Sequence, residues 1–292
     1  MFKRILKFTL IGVGFLLLCI ALFYAFVHFS VNDRLAQTYT VDPKPIAIPN
    51  DSAALALGHH LSLVQGCQDC HGKDLSGDIM VDDPAIGLIS ATNLTTGEGG
   101  IGAGYSDKDW LKAMRHGLSQ EQTSLLIMPS TEYSKMSDHD LGALIAYCKQ
   151  APPVDNQLPQ NELRPLARIL INFNQMKILT AELIDHDYEA PEYITPSVSV
   201  DYGGYLATAC AGCHGTNFKG LPGKEPGSPM ASDLTQTGNL ANWSENQFKG
   251  ALRTGKTPEG IIMNSKLMPW EAFRHFSDDE IKALYLFFQT LE

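Results

Sequence analysis

The chain has 292 residues, of which 44% are hydrophobic and 18% charged, a balance typical of folded globular proteins rather than of disordered chains. Its formal charge of −10 at pH 7 argues against nucleic acid as a partner, because phosphate backbones bind basic surfaces. An acidic surface instead favours association with basic docking patches on protein partners.

The N-terminus is predicted to form one membrane-spanning helix within residues 1–30. Three basic residues in the first seven positions are followed by an uncharged apolar run from Phe8 to Phe29. At about 1.5 Å per residue, this run is long enough to cross a hydrocarbon core of roughly 30 Å. The basic residues before the run predict a cytoplasmic N-terminus and a globular part on the outer side of the membrane. A cleaved signal peptide is the alternative, but its apolar region would be shorter and would end in small residues.

The rest of the chain divides at proline-rich stretches. Residues 31–50 hold three prolines without apolar periodicity and predict an extended tether. One domain is then expected over 51–153, a linker over 154–198, and a second domain over 199–292. Helical patterning in the linker at 165–184 predicts a helix that either packs across both domains or connects them loosely.

Each predicted domain contains one copy of a Cys-X-X-Cys-His motif. The two copies are Cys67-Gln68-Asp69-Cys70-His71 and Cys210-Ala211-Gly212-Cys213-His214. In such a motif the two thiols add to the vinyl groups of a haem, and the adjacent imidazole becomes an iron ligand. A zinc ribbon would place its two Cys pairs closer together, and a thioredoxin-like motif would be flanked by strands rather than by helical patterning. The sequence therefore predicts two covalently bound haem c groups, with His71 and His214 on the iron.

Each copy also supplies a candidate for the sixth iron ligand. Met128-Pro129 follows the first motif, and Met268-Pro269 follows the second at a similar distance. A thioether at this position favours the reduced iron and leaves no open coordination site, which is typical of an electron carrier. The alternative ligands that the sequence offers are the sulfurs of Met136 and Met263 and the imidazoles of His59 and His60.

The two motif-bearing segments are copies of one another. A nearly constant offset between matching stretches indicates an internal duplication. The matching pairs are 91–95 with 231–235, 105–117 with 243–255, and 137–141 with 277–281. In the last pair, Ser137 with Asp140 and Ser277 with Glu280 predict capping boxes that start a terminal helix, whose apolar face should pack on the helix entering the haem motif.

These motifs resemble those of class I c-type cytochromes, specifically the membrane-anchored diheme members. The sequence Met128-Pro129-Ser130, with Met136-Ser137-Asp138, is also similar to the cytochrome subunits of periplasmic dehydrogenases, which carry three haems. The resemblance implies an all-α fold, in which an N-terminal transmembrane helix precedes two class I cytochrome c domains. A helical shell with little or no sheet is expected around each haem.

The resemblance also implies roles for residues around each haem. A proline carbonyl is expected to accept a hydrogen bond from the ring of the iron-binding histidine, and an arginine is expected to bind the haem propionates. The candidate prolines are Pro84 and Pro229, with Pro222 and Pro226 competing in the second domain. The candidate arginines are Arg115 and Arg253. Tyr105, Trp110 and Trp243 are expected either to wall the haem pockets or to fill the core.

The sequence thus predicts an electron carrier rather than an enzyme, with no catalytic residues of its own. It is expected to span a bacterial inner membrane once and to hold its domains in the periplasm. Its donor and acceptor are expected to be redox proteins, such as a dehydrogenase or a terminal oxidase. The alternative is a diheme enzyme, peroxidase-like or thiosulfate-oxidising, in which one iron has an open or displaceable ligand.

Overall fold

The computed structural model describes residues 2–222 and 229–292 of the chain and is mostly helical. The prediction of a helical fold that begins with a long apolar helix is confirmed. In chain order, the helices and strands are α1 (Phe2–Ala36), α2 (Ser52–Val64), α3 (Cys67–His71), β1 (Asp78–Asp83), β2 (Gly87–Ala91), α4 (Asp107–His116), α5 (Ser130–Tyr133), α6 (Asp138–Lys149), β3 (Glu162–Leu163), α7 (Pro165–Asn172), α8 (Val200–His214), α9 (Glu245–Thr254), α10 (Trp270–Phe273) and α11 (Asp278–Phe288).

Helix α1 is long and apolar enough to cross a membrane, and its apolar part is almost entirely exposed on the surface. It continues to Ala36 instead of ending near residue 30, so the expected tether is shorter than predicted. The reason is packing, because Val27 and Val31 are fully buried against the linker and the strands. Helix α1 is therefore continuous with the globular part of the protein.

The two copies, which we call the first repeat (51–153) and the second repeat (199–292), share the same order of helices. In each, a helix carries the Cys-X-X-Cys-His motif, a serine-capped helix follows (α4 or α9), and a short helix comes directly after Met-Pro (α5 or α10). The terminal helix α6 packs on α2, which leads into the first motif, and α11 packs on α8, which carries the second motif, as predicted. This contact is close, because a Cβ on Gly58 would overlap the carbonyl oxygen of Ala143, and one on Gly203 that of Ala283.

A small antiparallel sheet is an addition that the sequence analysis did not foresee. Strand β1 pairs with β2, and β2 pairs with the two-residue strand β3 from the linker. Gly87 has a φ of 127° and lies against the backbone of Glu162, so only glycine fits at this crossing. The sheet connects the first repeat to the linker.

Two apolar clusters hold the molecule together. One continuous core draws on both repeats, with Leu144 and Cys67 from the first and Phe288 and Leu206 from the second. The other cluster joins α1, the sheet and α7, with Ile171 at its centre. Within the described residues, α7 thus packs on the anchor helix and not across both repeats, because its buried side chains meet those of α1.

Candidate haem-binding sites

The two Cys-X-X-Cys-His motifs lie at the ends of differently built helices. In the first repeat, Gly66 adopts a left-handed φ of 70° and separates α2 from the short motif helix α3. In the second repeat, α8 runs without a break into His214. Burial raises the pKa of the Cys67 and Cys210 thiols to about 12, so both are protonated at neutral pH.

The two histidines predicted to bind iron are oriented by backbone carbonyls at matching positions. Nδ1 of His71 lies 2.7 Å from the carbonyl oxygen of Thr92, and Nδ1 of His214 lies 2.7 Å from that of Ser232. A carbonyl only accepts, so Nδ1 carries the proton and the Nε2 lone pair is left for a metal. Burial lowers the pKa of both rings despite these hydrogen bonds, which keeps them neutral as an iron ligand must be.

These carbonyls correct the expected roles of Pro84 and Pro229. Both prolines are exposed, and the histidine rings bond to Thr92 and Ser232 instead. Pro222 is also exposed, while Pro226 lies outside the described residues. Any residue can supply a backbone carbonyl, so a search restricted to proline missed the partner. The repeated segments 91–95 and 231–235 carried the usable signal, since both carbonyls lie within them.

The candidate methionine ligands occupy equivalent places. Met128 and Met268 each directly precede a proline that starts a short helix, and both are half-buried against the core that contains Cys67. Met136, the alternative sulfur in the first repeat, is instead 2% exposed within that core. The carbonyl of Met128 accepts a bond of 3.0 Å from the Thr180 hydroxyl of the linker.

Arg115 and Arg253, the arginines predicted to bind the haem propionates, both have protein partners in the structure. Arg115 donates to the carbonyls of Ser134 and Met136, at 3.1 and 2.9 Å, and to Asp138 at 2.6 Å. Arg253 repeats the pattern with the carbonyl of Arg274 and with Asp278 at 2.9 Å. Both guanidiniums therefore connect the capped helix to the start of the terminal helix. Burial lowers the pKa of Arg115 despite the charge of Asp138.

The aromatic residues near the first motif leave one donor without an acceptor. Trp110 is 3% exposed, and its indole Nε1 is buried with no partner among the residues that the structure describes. Its ring meets that of Tyr105 edge to face at 5.8 Å. An orphaned N–H of this kind is expensive unless a bound group accepts from it, and a haem carboxylate could do so. Together with two thiols, a tautomer-fixed imidazole and a thioether, this donor fits a covalently bound haem.

The sequence analysis missed a pair of reciprocal bonds between the repeats. Tyr205, on motif helix α8, donates to Asp140 at 2.7 Å. His60, on α2, which leads into the first motif, bonds to Glu280 at 2.9 Å, so its Nε2 already has a protein partner. Asp140 and Glu280 are the matching third residues of the terminal helices. Helix α2 of the first repeat thus binds the terminal helix α11 of the second, and α8 of the second binds the terminal helix α6 of the first.

Two further contacts place each haem motif against the opposite repeat. A Cβ on Gly212, inside the second motif, would overlap the carboxylate of Glu132 on α5. Asp69, inside the first motif, has a pKa raised by burial and then by the charge of Glu271 on α10. The two motifs therefore face the interface between the repeats.

Comparison with known proteins supports this chemistry. Residues 203–292 match the cytochrome c family. The chain is 26% identical over 275 residues to the fructose dehydrogenase cytochrome subunit of Gluconobacter japonicus, covering 86% of this chain and 54% of that protein. It is 24% identical over 276 residues to the alcohol dehydrogenase (quinone) cytochrome c subunit of Gluconacetobacter polyoxogenes, covering 82% and 56%.

A third relative is the gluconate 2-dehydrogenase cytochrome c subunit of Pantoea cypripedii, 25% identical over 280 residues, covering 84% of this chain and 62% of that protein. The chain therefore spans little more than half the length of these curated relatives. Their names agree with the resemblance to dehydrogenase cytochrome subunits that the motifs indicated. Residues 203–292, nearly the whole second repeat, thus match the cytochrome c family, and the chain as a whole is similar to the cytochrome subunits of dehydrogenases.

Proposed function

We propose that this chain is a membrane-tethered diheme cytochrome c that passes single electrons as the electron-transfer subunit of a dehydrogenase complex. The observation that carries the proposal is the matched pair of motifs, in which each histidine ring is fixed by an equivalent backbone carbonyl. A second motif with the same local hydrogen bond argues for a second haem in the first repeat. Both repeats are therefore assigned the same cofactor.

Each repeat contributes the same set of groups. Cys67 and Cys70 would form the thioether bonds of the first haem, and His71 and Met128 would be the protein ligands of its iron. In the second repeat the corresponding residues are Cys210, Cys213, His214 and Met268. Haem c supplies a one-electron iron couple when bound. The protein's part is to keep the imidazoles neutral and oriented and to exclude water from the iron by apolar packing.

Electron transfer between the two sites is favoured by the interface between the repeats. The second motif contacts the first repeat, and α2, which leads into the first motif, contacts the second repeat. A single core runs through both repeats. A rigid connection keeps the separation of the two irons constant, which suits a relay in which an electron enters at one haem and leaves from the other. No bond-making residue is needed for such a transfer.

The location and partners follow from α1 and from the relatives. We place the chain in a bacterial inner membrane with both repeats in the periplasm, where c-type haems are attached. The relatives are named as cytochrome subunits of dehydrogenases that oxidise fructose, alcohol or gluconate. A dehydrogenase subunit is accordingly the proposed electron donor, and its substrate is not specified by this chain.

The proposal is tested on the full-length protein by visible spectroscopy. A haem assay should give two haems per chain, and neither ferrous haem should bind carbon monoxide, because both sixth positions are filled. Met128→Ala and Met268→Ala should each convert one haem to a high-spin form that binds carbon monoxide, while the other haem stays unchanged. Met263→Ala is the matched control, since it removes a half-buried sulfur that is not assigned to iron.

Three results would contradict the proposal in different ways. One haem per chain would remove the first repeat as a haem site. A methionine variant with its full low-spin spectrum would remove that ligand. Carbon monoxide binding by the unmodified chain would mean an open iron and would favour the diheme enzyme over the electron carrier.

A further inference from the structure

The linker is fixed to the outer end of the anchor helix. Ala167 and Ile171 of α7 are fully buried against α1. Arg34, near the end of α1, pairs with Glu182 through two bonds of 2.9 and 2.5 Å and donates to the carbonyl of Ile171 at 2.6 Å. Position and orientation of α7 are therefore set by α1.

The linker also reaches down beside the apolar part of α1. The ring of Phe173, directly after α7, stacks on that of Phe23 with centroids 6.3 Å apart and planes 17° apart. Phe23 lies inside the uncharged run, six residues before its end at Phe29. Six helical residues correspond to about 9 Å along the axis. With α1 across a bilayer, Phe173 is therefore at the depth of the acyl chains of the outer leaflet.

A second face of α7, beside the one that is buried against α1, is apolar as well. Leu166, Leu170 and Phe173 follow the i, i+4, i+7 spacing of one helical stripe. Leu166 is 43% exposed and Phe173 is 52% exposed, while Leu170 is half-buried. Half-buried Arg164, whose guanidinium lies 3.8 Å from the carboxylate of Glu162, precedes the stripe, and exposed Lys177 follows it. An apolar stripe with basic ends is the pattern of a helix in a membrane interface, where it contacts acyl chains and anionic headgroups.

We propose that the segment from Leu166 to Phe173 lies in the outer leaflet of the membrane, beside α1, as a second contact with lipid. The occupant of the stripe is lipid and not a protein, because the stripe is continuous with the lipid-facing surface of α1. The proposal rests on α1 spanning the membrane, as in the proposed function, but it does not depend on how many haems the chain carries.

The first test measures thiol accessibility of the full chain in vesicles of phosphatidylethanolamine and phosphatidylglycerol, in a Cys19→Ala background. Leu166→Cys and Phe173→Cys are compared with Ile261→Cys, which is exposed to a similar degree at 63% but lies in the second repeat, and with Leu17→Cys in the span. The probe is a sulfonated maleimide. An apolar environment excludes the charged probe and suppresses the reactive thiolate, so we expect labelling at 166 and 173 to be about tenfold slower than at 261.

The second test seeks lipid directly and needs no substitution. A phospholipid with a photoreactive group in its acyl chain should form adducts on the tryptic fragment at residues 169–177 of the unmodified protein, in addition to adducts on α1. Absence of adducts on that fragment, or labelling of Phe173→Cys as fast as Ile261→Cys, overturns the proposal. Slow labelling of Leu17→Cys in the same experiment would show that the span itself still stands, and the visible spectrum reports separately on the haems.

Discussion

The reciprocal bonds between the repeats predict that their interface is sensitive to pH on one side only. Hydrogen bonding to Glu280 raises the pKa of His60 despite burial. Burial alone would raise the pKa of Glu280, but the bonds from His60 and from the Ser277 backbone lower it overall. Tyr205, the donor on the other side, has its pKa raised far above its usual value, first by burial and then by the charge of Asp140.

The signs of these shifts define the pH window. The contribution from His60 is complete below the unfolded pKa of histidine, about 6.5, and is lost as pH rises through the higher folded value. The contribution from Glu280 is complete above its unfolded pKa and is lost as pH falls through the lower folded value. The ion pair is therefore strongest near pH 6. Tyr205 keeps its proton from pH 6 to pH 9, so its bond to Asp140 does not change.

The size of the effect follows from burial. The side chain of Glu280 is 11% exposed and that of His60 is 30% exposed. A hydrogen bond to a charged group contributes about 1.5–3 kcal/mol when buried, and the partial exposure of His60 reduces this to about 1–2 kcal/mol. The Tyr205–Asp140 bond has a neutral donor and should contribute about 1 kcal/mol.

Double-mutant cycles measure both contributions by denaturant unfolding. The first cycle uses His60→Ala with Glu280→Gln, because glutamine retains the capping role of this position. Its coupling energy should be about 1–2 kcal/mol at pH 6 and below about 0.5 kcal/mol at pH 9. The second cycle, Tyr205→Phe with Asp140→Asn, is the matched control and should give the same value at both pH values. A His60–Glu280 coupling that does not change between pH 6 and pH 9 would refute the reasoning.

Two further predictions concern packing and the arginines. Gly58→Ala should lower the free energy of unfolding by about 1–3 kcal/mol, because the added Cβ would overlap Ala143. The control Gly250→Ala, at an open helix position, should raise the free energy of unfolding by about 0.5–1 kcal/mol. Calorimetry measures both effects, and equal effects would contradict the close contact of α2 with α6. Arg115→Gln should lower the free energy of unfolding by about 2–3 kcal/mol, because the bonds to Asp138 and to the backbone are lost. In a redox titration, the reduction potential of the first haem should stay unchanged. A large shift in that potential would instead indicate that Arg115 binds the haem propionates.

Sequence alone was sufficient for features that depend on local pattern. The span, the motifs and the serine-capped helices follow from periodicity and spacing. One predicted capping box is only half formed. The Ser137 hydroxyl accepts from the backbone N–H of Asp140, but the backbone N–H of Ser137 donates to the Tyr205 hydroxyl, 3.0 Å away. A donor that arrives from another repeat has no local signature.

The errors have a common physical origin, since they concern partners that are distant in sequence. The two-residue strand β3 forms only because β2 is there to pair with it. His60 and Tyr205 perform the same task from non-equivalent positions on their helices, so aligning the repeats could not reveal them. Arg115 and Asp138 both belong to repeated segments, and their pairing could have been inferred from the two together.

The unbroken course of α1 has a consequence for encounters with other proteins. A flexible tether between a membrane anchor and the globular part would let the globular part change its height and orientation freely above the membrane. With α1 across a membrane, as proposed, a continuous helix held by Arg34 and Val31 instead makes the whole molecule rotate as one body about the membrane normal. The proposed haem sites would then stay at a constant height above the membrane, and diffusion toward a partner would be restricted to the membrane plane and to rotation about its normal. Association would then be fastest with partners that are anchored in the same membrane and present their binding surface at the same height.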